Sequence, residues 1–597
     1  MIKQKEREKK DVKAIFLRLC GYIARYWYIF IPAILFTLVS NELALLGPKY
    51  SGAAIDAIAE KGGVNFTVVY ENATRMILCY VISAVLTYVL TLLMSLMSQK
   101  ISYLMRKQLF EKLTSLPVGY FDKHPTGDII SHISYDIDTI NATLAHDLLQ
   151  IMTSIYTVFG SLYFMWCISP PMLLVFAVTV PTAVIFTTFR AKHIRPLSRT
   201  RSRKLGELNG YAEEMLSGCP AIRAYHREEE IGRRFDARNA DSMAAYYKWD
   251  HLAVTIGPTV NCISNLSISL VMMMGGILYF LSQNAAVKTG SLFFITLGGV
   301  SQFVLYSRKF SGPINEFANI ISEMQSAFSA ADRVFHILDE EPEIQDAPDA
   351  ADLAEVDGEI NFQNIFFGYT KEKTILKNIS FTAKPGQTIA FVGPTGAGKT
   401  TLISLLMRFY DPDSGTVSVD NKPFLSLTRA SLRKAYTMVL QDTWLFGGTV
   451  YENIAYGRED ATPEMVHAAA KAARVDQFID TLPDGYDTVM SDSGVNISKG
   501  QKQLITIARA MLSDSRMLIF DEATSNVDSR TERKVQSAMT DLMKDRTCFI
   551  IAHRLSTIQN ADCIYVMQHG EITESGTHEE LLRLGGFYST LYQSQFR

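Results

Sequence analysis

Eight consecutive residues carry the plainest chemistry in this chain: Gly393-Pro394-Thr395-Gly396-Ala397-Gly398-Lys399-Thr400. They follow the apolar run Thr388 to Val392, which reads as a buried strand, and precede the helix-compatible pattern Thr401 to Arg408. Glycines in that context let successive backbone N–H groups wrap phosphate oxygens at a helix N-terminus, where the peptide dipoles also favour negative charge. Lys399 is expected to reach the β- and γ-phosphates of a nucleotide and Thr400 to bind Mg²⁺. Gly393, Thr395, Gly396, Ala397, Gly398 and Thr401 are the remaining expected nucleotide contacts. A glycine turn alone would mean little; the order strand, loop, helix makes this a phosphate-binding P-loop.

Further on, Met517 to Phe520 is an apolar strand ending in Asp521 and Glu522. Ligands of α/β sheets bind beyond the carboxyl ends of the strands. Asp521 is therefore expected to hold hydrated Mg²⁺, and Glu522 to orient or deprotonate the attacking water. An Asp-Glu pair without a P-loop is usually just surface charge.

These residues need a soluble α/β domain to position them, yet much of the chain has a different composition. Of 597 residues, 48% are hydrophobic, more than a soluble protein of this size needs. A helix crossing about 30 Å of hydrocarbon needs about 20 largely apolar residues. Six runs qualify: Tyr28–Gly47, Met76–Met97, Leu148–Ile168, Met172–Arg190, Val254–Leu281 and Leu292–Tyr306. Ser169, Pro170 and Pro171 separate the third from the fourth, which predicts a tight reversal because proline lacks an N–H and restricts the residue before it.

The loop after the second run carries Lys100, Arg106, Lys107, Lys112 and Lys123, and the loop after the fourth is richer still in arginine. Both are expected in the cytoplasm of a cell whose inner (plasma) membrane holds the chain, and an even number of spans places both termini there too. The N-terminal stretch Met1 to Lys13 is polar and charged, and no removable signal peptide is expected there. The formal net charge of −3 gives no global basic character for nucleic acid, and the seven scattered cysteines show neither metal spacing nor paired motifs. Phe335 to Asp352, acidic and containing Pro342 and Pro348, reads as an exposed linker.

With these residues in view, the chain resembles an ATP-binding-cassette exporter half-transporter of the multidrug and lipid-exporter type, essentially end to end. The resemblance implies an α-helical six-span transmembrane bundle fused to an α/β P-loop nucleotide-binding domain, with ATP and Mg²⁺ bound. The expected organisation is an N-terminal segment and elbow helix at 1–22, a transmembrane domain at 23–325, a linker at 326–356 and the cassette at 357–597. On the same pattern Tyr369 would stack on adenine, Gln441 would touch Mg²⁺, His553 would sense the γ-phosphate and Asp528 would lie at the cassette dimer interface. Tyr120 to Ser131 and Tyr211 to Glu230 resemble the two cytoplasmic segments that dock on cassettes.

One motif departs from the family pattern. The signature Leu-Ser-Gly-Gly-Gln reads Ile497-Ser498-Lys499-Gly500-Gln501 here. Ser498, Gly500 and Gln501 would act in trans on the partner's nucleotide, and Lys499 stands where a glycine permits the closest backbone approach. A poor signature impairs the site built on the partner's P-loop, so the expected assembly is a heterodimer with one consensus and one degenerate ATP site. A homodimer that tolerates Lys499 remains the alternative, as do a lipid flippase and an importer on the same fold. The implied partners are a second half-transporter, the lipid membrane and a small hydrophobic or amphipathic compound.

Overall fold

A computed structural model describes residues 2–60, 63–283, 292–370, 373–440, 443–490, 497–521, 529–551 and 558–595, without side chains at 2–12, 314–319, 529–530 and 595. They form two compact units, Met1–Thr114 with Pro125–Glu340, and Ser115–His124 with Glu341–Arg597.

The first unit is helical. Five stretches of described helix are long and apolar enough to cross a membrane: Trp27–Ile58, Phe66–Thr114, Thr126–Ile168, Pro170–Ser217 and Glu228–Gln283. They contain five of the six expected spans and extend well beyond most of them, since helix continues into polar sequence. Ser169 is extended and Pro170–Leu173 is a single tight turn, so the reversal falls where the two prolines place it. Leu78, Val81, Val85, Leu92 and Leu96 on Phe66–Thr114 face outward. Such an apolar exterior is costly in water and natural in hydrocarbon, where a helix satisfies its own backbone groups.

The sixth expected span, Leu292–Tyr306, differs. Its helix begins at Leu297, where the Thr296 side chain accepts from the Gly299 amide at 2.9 Å, and runs to Asp339. Ser301, Gln302, Ser307, Arg308 and Lys309 dilute its apolar character, and it is not among the five stretches that qualify by length and composition. It packs centrally nonetheless: Phe303 and Tyr306 are fully buried with Leu45, Met165, Phe176 and Val271. Tyr306 donates to the Leu45 carbonyl at 2.6 Å, and its ring stacks on Phe164 with centroids 5.1 Å apart. Lower down, the buried Asp136 carboxylate accepts from Arg333 at 2.9 and 2.5 Å and lies 2.6 Å from His132 Nδ1.

This helix also corrects the reading of Phe335 onward as an exposed linker. Helix persists to Asp339 with Phe335 and Ile337 buried. Tyr22 stacks on Phe335, and Arg18 forms a bidentate pair with Asp339 at 2.6 and 2.8 Å.

The second unit is α/β. Its central sheet runs, in spatial order, Glu571–Gly576, Cys563–Gln568, Thr388–Val392, Thr547–Ile551, Met517–Asp521 and Tyr436–Val439. The last five are parallel, and only the edge strand Glu571–Gly576 is antiparallel. Parallel strands covered by helices on both faces are apolar throughout, as in the fully buried Thr547–Ile551. An antiparallel sheet built on Ile360–Phe367, Leu376–Ala383 and Ser414–Val419 packs beside it.

Close helix contact in the first unit gives one stability prediction. A Cβ added at Gly298 would lie 2.1 Å from the Gly52 carbonyl oxygen and 2.6 Å from the Asp56 carboxylate, which accepts from the Gly298 amide at 2.7 Å. Overpacking against backbone costs about 1–3 kcal/mol. Gly298→Leu should therefore lower the thermal unfolding midpoint of the purified protein in detergent, whereas Gly276→Leu, at a glycine with open space around it, should leave it nearly unchanged.

Candidate nucleotide site

The P-loop takes the form its sequence predicts. Strand Thr388–Val392 ends, the turn crosses 393–398, and helix Lys399–Leu406 begins. Gly393 is required by a close approach, since a Cβ there would sit 2.1 Å from the Met567 carbonyl oxygen. Gly398, immediately before the helix, has φ +101°, a left-handed conformation in which a side chain would be strained. At Gly396 an added Cβ would meet nothing within 4 Å, so that face of the loop is open. Ala397 and Thr401 are buried under the loop, and Thr400 is exposed at its mouth. Lys399 is buried along its stem, and its ammonium donates to the Gly393 and Pro394 carbonyls at 2.7 and 3.1 Å. The cation is thus held over the loop.

Sheet register supplies the second half of the site. Ile551 pairs with Phe391 on one side and with Asp521 on the other, and Val439 pairs with Phe520. With adjacent strands about 4.8 Å apart, Asp521 lies about 10 Å from the end of the P-loop strand along the same carboxyl edge. Among the described residues, Asp521 terminates its strand half-buried. Gln441, Glu522, Asp528 and His553 lie outside the described residues.

Tyr369 is 39% exposed, its ring meets Phe367 edge-on at 5.3 Å, and its hydroxyl donates to Thr401 Oγ1 at 3.3 Å. An aromatic face therefore stands beside the start of the P-loop helix, where a flat, apolar base could stack. The set fits a magnesium nucleotide: backbone amides and a lysine for phosphate, a hydroxyl and a carboxylate for the metal, an aromatic for the base.

At the other expected contact, Ser498 caps helix Lys499–Leu512 in a reciprocal arrangement. Its Oγ accepts from the Gln501 amide at 3.3 Å, and Gln501 Oε1 accepts from the Ser498 amide at 2.9 Å. Lys499 is the exposed first residue of that helix, and Gly500 is buried. The departure from the family motif thus perturbs the outward face of the helix start, not the packing beneath it.

Sequence reasoning missed the support below the P-loop helix. Arg408, 3% exposed, donates to the Phe424 and Leu427 carbonyls at 2.6 and 2.7 Å and pairs with Asp411 at 3.1 Å. Arg429 bridges Asp411 and Asp346, and Arg433 grips Glu343 at 2.5 and 3.0 Å. Two acidic residues read as linker are therefore partners of arginines: Asp346 of the buried Arg408 and Arg429, and Glu343 of the half-buried Arg433. The available signal was the run Arg408-Phe409-Tyr410-Asp411 directly after the P-loop helix.

Comparison with known proteins identifies the family. Residues 29–300 match the ABC transporter transmembrane region, and residues 376–525 match the ABC transporter domain. An uncharacterized ABC transporter ATP-binding protein of Bacillus subtilis, YfiC, is 40% identical over 593 residues, covering 99% of this chain and 96% of that one. A fatty acid ABC transporter ATP-binding/permease protein of Mycobacterium tuberculosis is 40% identical over 526 residues, covering 88% and 81%. An ATP-dependent lipid A-core flippase of Hahella chejuensis is 33% identical over 588 residues, covering 98% and 97%. The structure of a bacterial Atm1-family ABC exporter with ATP bound superimposes with a TM-score of 0.77 at 27% identity, covering 96% of this chain and 99% of that one. A membrane-spanning helical bundle followed by a P-loop cassette, matched along nearly its whole length, makes this chain a member of the ABC transporter family: an exporter half-transporter whose cassette hydrolyses ATP to drive transport.

Proposed function

We propose that the chain exports small amphipathic compounds across the cell membrane as one half of a heterodimer, with both termini in the cytoplasm. The carrying observation is the register that aligns the P-loop strand and Asp521 on one carboxyl edge. There Gly393, Thr395, Gly396, Ala397, Gly398, Lys399, Thr400 and Thr401 hold the phosphates, and Tyr369 holds the base. Thr400, Gln441 and Asp521 would hold Mg²⁺, which would supply charge neutralisation for the phosphoryl transfer. Glu522 orients the attacking water and His553 contacts the γ-phosphate.

In this reading the transmembrane domain occupies 23–325 behind an N-terminal segment at 1–22, and 326–356 leads to a cassette at 357–597. Two cassettes close on ATP head to tail, with Ser498, Gly500, Gln501 and Asp528 acting across the interface. ATP can drive the cycle only if it binds the closed state more tightly than the open one, by several kcal/mol for a decisive shift.

Lys499 supports the asymmetric pair. An exposed, long side chain stands at the first position of this helix, where the family pattern has a glycine, and its bulk would hinder the close backbone approach to the partner's phosphate. An amphipathic substrate is supported by two relatives whose names specify fatty acid and lipid A-core, and these also favour a lipid as cargo.

Two outcomes are expected. Lys399→Ala should lower ATPase activity by about 10²–10³-fold while the protein still folds and purifies as wild type, measured by phosphate release in nanodiscs. Native mass and vanadate-sensitive ATPase, for the chain alone and co-expressed with a candidate second half-transporter, should show that only the pair is active and that Glu522→Gln silences it. An active dimer of this chain alone would contradict the asymmetry and leave export intact.

A further inference from the structure

Segment Ser115–His124 joins helix Phe66–Thr114 to helix Thr126–Ser131, yet it packs with the cassette as part of the second unit. Its short helix Val118–Phe121 packs against Tyr410. The Tyr410 hydroxyl donates to Asp122 Oδ2 at 2.6 Å. A Cβ on Gly119 would lie 2.8 Å from that hydroxyl and 2.9 Å from the ring, so the backbone lies directly against the phenol. The other side of the Tyr410 ring region meets Tyr369 edge-on, with centroids 5.1 Å apart and planes at 82°, and also meets Phe367 at 5.5 Å. Tyr369 in turn bonds Thr401 at the start of the P-loop helix. Burial, together with the Asp122 carboxylate, raises the Tyr410 hydroxyl above the ordinary phenol range, so it stays a donor at all physiological pH.

We infer that Tyr410 is a positioning residue that reports occupancy of the base subsite to the first cytoplasmic segment, through the contact sequence Tyr369, Tyr410, Asp122. The inference rests on the proposed role of Tyr369 as the base-stacking residue. A base laid on Tyr369 fixes that ring; the edge-on contact fixes Tyr410; the charge-assisted hydrogen bond fixes Asp122 and with it the helix Val118–Phe121. Tyr410 cannot drift to absorb the change, because Arg408, Asp411, Arg429 and Arg433 clamp the chain on both sides of it. Glu343 adds a second tie, donating its amide to the Ser115 carbonyl at 2.9 Å while its carboxylate is held by Arg433. The segment therefore responds to the base end of the nucleotide, in addition to whatever the phosphates do.

The test is amide hydrogen exchange on the intact transporter in nanodiscs, read in the peptide covering 115–124. Magnesium ATP should slow exchange there by about threefold or more, and magnesium tripolyphosphate, which lacks a base, should not. Tyr410→Phe keeps the ring and removes the hydroxyl; it should abolish the ATP effect while the ATP Kd stays within about threefold of wild type. Asp122→Asn should lose the effect in part, Asp122→Ala fully, and Tyr410→Phe with Asp122→Ala no further. An undiminished ATP effect in Tyr410→Phe overturns the inference, as does equal protection by tripolyphosphate, or a collapse of ATP affinity in Tyr410→Phe. Tyr369→Ala separates the premise: unchanged ATP affinity there refutes the base-stacking role itself, whatever Tyr410→Phe shows.

Discussion

A nucleotide's phosphates can be held by neutral backbone only if several N–H groups converge on one point, and that requirement governs the cassette. Convergence needs a chain that can approach without side chains, which Gly393 and Gly398 provide, and a helix start directly beyond it. It also needs a rigid platform, because a loop free to relax would lose the geometry on which charge stabilisation depends. The five parallel strands supply that platform, and their in-register pairing delivers Asp521 to the same edge. The buried arginines below the P-loop helix complete it from the other side. Each carries an uncompensated cost unless its carboxylate or carbonyl partners are present, so Arg408 and Arg429 fix Asp346, Asp411 and the turn between them together.

The helical unit answers a different constraint. Its membrane-length helices expose apolar side chains such as Leu78, Val85 and Leu92, and its inner contacts combine aliphatic and aromatic side chains with small residues and hydroxyls. Gly52, Gly298 and Gly47 allow close approach, and Tyr306, Ser40 and Ser83 hydrogen-bond across or along helices. Such packing suits lipid, where burial of apolar area gives no driving force and shape and hydrogen bonding must serve instead. Asp136 with Arg333 and His132 marks where the bundle becomes polar again.

Much of this was legible in the amino-acid sequence because it is local. The P-loop is contiguous, its strand and helix are adjacent, and five spans are long uninterrupted apolar runs. The reversal at Pro170 and Pro171 is written in two residues. What escaped depends on distant partners. Asp122 and Tyr410 lie 288 positions apart, and neither carries a local signal of the other. Glu343 and Asp346 look solvated in sequence because their arginines, Arg433 and Arg429, come far later. The sixth helix was misplaced at its start because hydropathy ignores the Thr296 cap, and it is hard to recognise as a span because its core face carries Ser307 and Gln302. The exposure of Lys499 at the helix start likewise emerged only with the capping pair of Ser498 and Gln501.

The central claim is that one carboxyl edge binds the metal and the nucleotide together. Electron paramagnetic resonance with Mn²⁺ in place of Mg²⁺, on the assembled transporter in nanodiscs, tests it most directly. A tightly bound Mn²⁺ signal should appear only with ATP, show coupling to ³¹P, and weaken strongly in Asp521→Asn and Thr400→Val. Mn²⁺ bound equally without ATP, or unchanged by both substitutions, would contradict the account.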